Sequence, residues 1–268
     1  MAKMPKFEEA TIARPNGRPV PAAIAKHAKT YWMTRRKVRL RVMLATSPAR
    51  DPRGTIIFCP GRTEFIEKYF ETIEDFLGMG FTVLIMDPRG QGLSSRLVAD
   101  PLKSYVRDFQ DYADDLAFAA EQFAPVLPKP HILMGHSMGG LVALQAVISG
   151  VMMPSAVVCS APMTGLFDIE TSIMATMIQI ASKLGFSKQA LPFQKQEAGI
   201  PVPFKSNKLT SDEIRFEDWA AYFTNIPELR VGPPTFAWIC AGLKSMAYVN
   251  RNAAQLKIPG LVVGAGGD

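Results

Sequence analysis

Ile132-Leu133-Met134-Gly135-His136-Ser137-Met138-Gly139-Gly140 is the stretch on which the fold turns. An apolar run enters Gly-x-Ser-x-Gly, and a second apolar, helix-forming segment from Leu141 to Ile148 leaves it. Strand, tight turn and helix in that order make a nucleophile elbow, which lifts a serine hydroxyl above the end of a sheet. Gly135 and Gly139 remove side chains that would collide inside the turn, and Gly140 lets the helix pack close to its neighbours. A chance Gly-Ser-Gly loop would lack both flanks.

Outward from the elbow the same alternation repeats. Thr55 to Cys59 reads as a buried strand ending at Pro60-Gly61. Phe65, Tyr69, Ile73, Phe76 and Leu77 recur at helical spacing, and Gly78 and Gly80 stop that helix. Phe81 to Met86 is the next strand, followed by Asp87-Pro88-Arg89-Gly90-Gln91-Gly92. Phe109, Tyr112, Leu116, Ala119 and Phe123 form one helical stripe, and Ala156 to Ser160 is a further strand. Strands alternating with helices predict an α/β fold, a mostly parallel sheet with helices on both faces and ligands at the strand ends.

The rhythm breaks between residues 162 and 234, which read as a helical lid inserted between two sheet strands. Within it Ile173, Met174, Met177, Ile180 and Leu184 either line a channel for an acyl chain or hold the lid together. Thr210 with Glu213 predicts a capping-box start for a helix carrying Trp219, Tyr222 and Phe223. Sheet architecture resumes with a helix from Phe236 to Met246 and a strand from Ile258 to Val263 that reads as buried. The expected organisation is therefore a leader (1–29), a core (30–161), the lid (162–234) and a second, truncated part of the core (235–268).

The 268 residues are 48% hydrophobic and 20% charged, enough to bury a full core. The first residues hold lysines, prolines and acids without an apolar centre, so no secretory signal is expected, and no apolar run is long enough to span a bilayer. Three widely spaced cysteines (Cys59, Cys159 and Cys240) match no zinc or redox pattern and suggest a reducing cytoplasm. The net charge is +6, densest at Lys26, Lys29, Arg35, Arg36, Lys37, Arg39 and Arg41. This patch reads either as peripheral attraction to an anionic membrane face or as the solvated side of an alternating strand over 37–42. No nucleic-acid motif is present. Neither Gly90-Gln91-Gly92 nor Gly264-Ala265-Gly266-Gly267 has the helix that a phosphate loop needs, so no nucleotide is expected.

Acyl transfer needs a nucleophile, a base, an acid that orients the base, and donors for the oxyanion. Ser137 supplies the first. The donors fall on the backbone N–H of Met138 and, in the loop after the Thr55–Cys59 strand, of Arg62, the first well-placed donor after Pro60, which has none. The Arg62 side chain would meet an anionic headgroup or solvent. Asp268, in a small-residue turn after a strand, is the candidate acid or an ordinary turn aspartate. The three histidines (His27, His131 and His136) all precede Ser137 and read as structural, so the base has no candidate.

Cys59-Pro60-Gly61-Arg62-Thr63-Glu64, Asp87 to Ser94, Gly135 to Gly140, Ser160-Ala161-Pro162-Met163 and Gly264 to Asp268, in this order, resemble the bacterial lysophospholipase and monoacylglycerol-lipase branch of the α/β-hydrolases, of the serine aminopeptidase S33 type. The resemblance runs from about residue 30 to the end. It implies a cofactor-free, metal-free serine hydrolase acting on a carboxylic ester of a single-chain lipid, with Ser137 as nucleophile, Arg62 and Met138 as oxyanion donors and Asp268 as acid. Pro60 stands where many relatives have histidine, which leaves a backbone donor intact. The histidine that the family places beyond the acid does not follow Asp268. A triad serine without its base loses about 10⁶ in turnover. The expectation is thus an active full-length enzyme of which these 268 residues are an inactive part. A general carboxylesterase, an aminopeptidase and a non-catalytic binding protein of the same fold are the alternatives.

Overall fold

Along each central strand, successive apolar side chains go to opposite faces and both faces are covered, so the strands read as unbroken apolar runs. The computed structural model describes residues 6–166, 173–191, 199–207, 209–264 and 266. The strands are β1 (Glu8–Glu9), β2 (Ala28–Arg35), β3 (Val38–Ala45), β4 (Gly54–Cys59), β5 (Phe81–Met86), β6 (His131–His136), β7 (Ala156–Ser160) and β8 (Gly260–Val263). The helices are α1 (Ala22–His27), α2 (Phe70–Gly78), α3 (Gln110–Phe123), α4 (Met138–Ile148), α5 (Ile173–Ala181), α6 (Glu213–Asn225) and α7 (Phe236–Asn252).

One sheet takes all eight strands in the order β1-β2-β3-β5-β4-β6-β7-β8. From β5 through β4, β6 and β7 to β8 the pairs are parallel, and β1, β2 and β3 add an antiparallel flank. Ile56, Phe58, Val83 and Ile85 pack with α1 and α2 on one face, through Ile24, Ile73 and Leu77. Ile57, Cys59, Leu84 and Leu133 pack with α3, α4 and α7 on the other, through Leu116, Leu141 and Trp238. The chain runs from β4 outward to β5 in one direction and returns to β6 on the other side of β4. That reversal between β4 and β6 opens a crevice at their carboxyl ends, where open α/β sheets bind ligands. Between β7 and α7 the described residues add α5 and α6 and no strand to the sheet.

Several expectations change. Residues 8–28 form β1, α1 and the start of β2 rather than a loose leader. Arg41 was expected on a solvated strand face but is fully buried, paired with Glu67 and Asp87 at 2.7 Å each. Most of the basic patch is likewise spent within the protein. Arg35 pairs with Asp114, Lys29 with Glu9, and Arg39 with Glu8 while stacking on Trp32. α6 is capped by Asp212, whose carboxylate accepts the Arg215 N–H, and not by Thr210. β8 pairs with β7 but is exposed along its length, because among the described residues nothing covers its faces. Among the described residues no helix is long and apolar enough to cross a membrane, and no side-chain cluster could hold a metal ion.

Candidate active site

β6 delivers Ser137 into a conformation few side chains adopt, φ 50° and ψ −118°, at the N-terminus of α4. Strain of this kind persists only where the surroundings over-determine it. Here they do. The Ser137 N–H donates to the Ser160 carbonyl at 3.0 Å, and the Ser137 carbonyl accepts from Gly140, Leu141 and Met163. A Cβ on Gly139 would lie 2.0 Å from the Cys59 carbonyl oxygen, so only glycine lets α4 start this close to the end of β4.

The loop after β4 holds three successive N–H groups, of which two are already used. Gly61 donates to Glu64 Oε2 at 2.5 Å, and Thr63, at φ 61°, donates to Gln91 Oε1 at 2.6 Å. The N–H of Arg62 between them has no acceptor among the described residues. Neither has that of Met138, which opens α4 and therefore lacks an intrahelical partner. Arg62 and Met138, the donors expected from the sequence, are thus both placed with an N–H that has no acceptor among the described residues.

The Arg62 side chain is partly buried and tied within the protein. Its Nη1 donates to Ser104 Oγ and the Gly232 carbonyl, and its guanidinium lies 5.8 Å from the Trp238 ring centre. Burial lowers its pKa to about 10. Sequence reasoning passed over Glu64, which is buried and is the hub of this corner. It accepts from Gly61 N–H, the Tyr69 hydroxyl, Lys68 Nζ and His136 Nδ1. A carboxylate only accepts, so His136 Nδ1 carries the proton in that 3.3 Å contact. Burial pushes Glu64 upward, but the His136 hydrogen bond and the Lys68 charge outweigh it and hold the pKa at about 2. The one sequence signal for this hub is the four-residue spacing of Glu64 and Lys68.

Ser137 opens into a cavity of about 520 Å³ roofed by Ile200, Leu209, Trp219, Phe223 and Val231. The apolar residues expected as an acyl channel are elsewhere. Ile173, Met174, Met177, Ile180 and Leu184 are all more than half exposed, because α5 turns Ala175 and Ile178 inward instead. None of the three histidines bonds Ser137: His136 faces Glu64, His131 contacts the Leu127 carbonyl and His27 ends α1. Cys59 and Cys159 lie buried in their strands with pKa values raised by burial to about 12 and about 11, inert as nucleophiles. Asp268 lies outside the described residues.

Residues 50–268 match the serine aminopeptidase S33 family of hydrolases. Lysophospholipase L2 of Escherichia coli K12 is 32% identical over 216 residues, 78% of this chain and 62% of that protein, so the chain spans about three fifths of that relative. Monoacylglycerol lipase of Mycolicibacterium smegmatis is 29% identical over 157 residues, 57% of this chain and 52% of that protein. Among solved structures, a soluble variant of monoglyceride lipase from Saccharomyces cerevisiae, in complex with a substrate analog, has a TM-score of 0.67 at 17% identity. That likeness covers 100% of this chain and 81% of the other and is one of fold.

Proposed function

This chain belongs to the serine aminopeptidase S33 family and has the α/β-hydrolase fold, and from that premise we propose that it is a serine hydrolase cleaving carboxylic esters of single-chain lipids. The observation that carries the reading is Ser137 itself, held at φ 50° beside a cavity with an apolar roof. The names of the lysophospholipase and monoacylglycerol lipase relatives support the substrate class. In the proposed reaction Ser137 Oγ loses its proton to a base and attacks the ester carbonyl carbon. The carbonyl oxygen takes the negative charge and accepts hydrogen bonds from the N–H groups of Arg62 and Met138. Collapse expels the alcohol, protonated by the base, and leaves an acyl ester on Ser137. Water then repeats the steps to release the fatty acid. Asp268 is the proposed acid that orients the base. A cytoplasmic protein meeting the inner membrane face would find such lipids at hand, and no cofactor enters the scheme.

The alternative is a lipid-binding protein of the same fold, in keeping with the side chains of His27, His131 and His136, none of which hydrogen-bonds Ser137. The test expresses the protein from its complete gene and assays lysophosphatidyl lipids, monoacylglycerols, short-chain esters and aminoacyl amides. Hydrolysis of the lipid esters, lost on Ser137→Ala by about 10⁴-fold or more, supports the proposal. Turnover of short esters alone would make it a general carboxylesterase, and turnover of amides alone an aminopeptidase. Saturable lipid binding without turnover would select the binding protein.

A further inference from the structure

Gln91 is almost wholly buried in the loop after β5 and touches both sides of the oxyanion pair. Its Oε1 accepts the Thr63 N–H at 2.6 Å, on the peptide immediately after Arg62. Its Nε2 donates to Met138 Sδ at 3.5 Å, on the residue immediately after the nucleophile. One planar amide therefore bridges the loop leaving β4 and the turn leaving β6.

The loop that presents this amide is fixed from below. Asp87 Oδ2 accepts the Leu93 N–H at 2.7 Å and Arg41 Nε at 2.8 Å, and Asp87 Oδ1 accepts the Ile66 N–H at 2.9 Å. Ser94 Oγ donates to the Asp87 carbonyl and accepts the Arg41 N–H. Gly92, at φ 53°, sits so close to Asp87 that a Cβ would fall 2.1 Å from the carboxyl carbon. Gln91 itself closes a turn, its N–H donating to the Pro88 carbonyl at 3.0 Å. The arm is thus rigid at its root and has both a donor and an acceptor at its tip.

Resting on the serine-hydrolase reading, we propose that Gln91 is a positioning residue that sets the separation and direction of the Arg62 and Met138 N–H groups. Oxyanion donors act only when aimed at the place where charge develops, and displacements well under an ångström matter. The two donors come from different strand ends, and their separation depends on what spans the two loops. Glu64 links Gly61 to His136, on the far side of each donor, whereas Gln91 touches the peptide after Arg62 and the side chain of Met138 itself. Its two functions need an amide: the oxygen satisfies a backbone donor that burial would otherwise orphan, and the nitrogen engages a sulfur.

The experiment uses the protein from its complete gene, Gln91→Leu, Gln91→Glu, ester kinetics and labelling of Ser137 by a fluorophosphonate. Gln91→Leu should lower kcat about 10- to 100-fold with KM changed less than about threefold, a smaller loss than removal of an oxyanion donor. Gln91→Glu keeps the shape, and when protonated it again has one acceptor and one donor. Its kcat relative to wild type at the same pH should rise roughly tenfold as the pH falls from about 8 to about 6, since buried carboxyls titrate high. The base titrates in both proteins, so the ratio removes its effect. Variants that lose only thermal stability, with normal labelling rates and a ratio flat with pH, would overturn the role of Gln91 while leaving the hydrolase reading intact. A wild type that turns over no ester and is not labelled at Ser137 would overturn both.

Discussion

The loops below the cavity and helix α5 are built on opposite principles. In the segments 60–64, 87–94 and 136–140, buried side chains are tied to backbone groups, the N–H groups of Arg62 and Met138 standing apart without an acceptor among the described residues. Asp87 and Gln91 each accept a backbone N–H from the 60–66 segment, and Glu64 accepts one from Gly61 of its own loop. α5, by contrast, keeps apolar side chains in solvent and rests on Ala175 and Ile178. A matched polar network tolerates little displacement, since each loss orphans a buried group. An exposed apolar face has no partner to lose. The difference separates where geometry is fixed from where it is free: the candidate chemistry sits on the first kind of structure, and α5 stands apart from it.

The sharpest way to break that contrast is to remove the buried cation. Arg41→Met would leave Glu67 and Asp87 facing each other without a counter-charge, and should destabilise the fold by about 3–5 kcal/mol, read from urea unfolding. Burial already raises Asp87, despite Arg41. In the variant Asp87 should be raised further. Stability from raised carboxyls is present below their unfolded values and lost as pH rises, so the deficit should shrink on acidification. A loss under about 1 kcal/mol would mean that the network is no stiffer than the surface.

Glu64→Gln comes next. In the wild type the Glu64 pKa of about 2 lies below its ordinary 4.5. Its charged form therefore adds stability above pH 4.5 that disappears as the pH falls toward about 2. At 1.36 kcal/mol per pH unit this is about 3 kcal/mol. Thermal melts between those limits should show a slope in wild type that is reduced in the variant. Identical slopes would remove Glu64 from the acid response of the fold.

Much of this contrast was legible in the chain and part was not. The elbow, β4 to β7 and the helices between them could be read because both-face burial leaves apolar runs and glycine marks the close approaches. The hairpin joining β2 to β3 could not: Arg36 and Lys37 adopt φ 47° and 68° without the Asn-Gly signature of such turns. The alternation over 37–42 correctly indicated a strand but put Arg41 in water, because a buried arginine with two distant carboxylates has no local signal. Ser137, Arg62 and Met138 follow from motif mechanics. Glu64 and Gln91 do not, since their roles depend on contacts to His136, and to Thr63 and Met138, that lie far away in sequence. Helical spacing of Met and Ile in α5 indicated an apolar stripe but not which way it faces.

The smallest effect is expected where the contrast is softest. Met177→Ser replaces an exposed side chain on α5 that neither lines the cavity nor packs into the core. Surface changes away from caps and networks stay within about 0.5 kcal/mol, so its unfolding midpoint should match wild type. Its rate on short esters should match as well, since no residue of α5 lines the cavity at Ser137. A loss of more than about 1 kcal/mol would mean that this face is covered in solution, and concentration-dependent melting would then identify a second copy as the cover. An unchanged midpoint would leave α5 an apolar face held open to water, in contrast to the tied loops around Ser137.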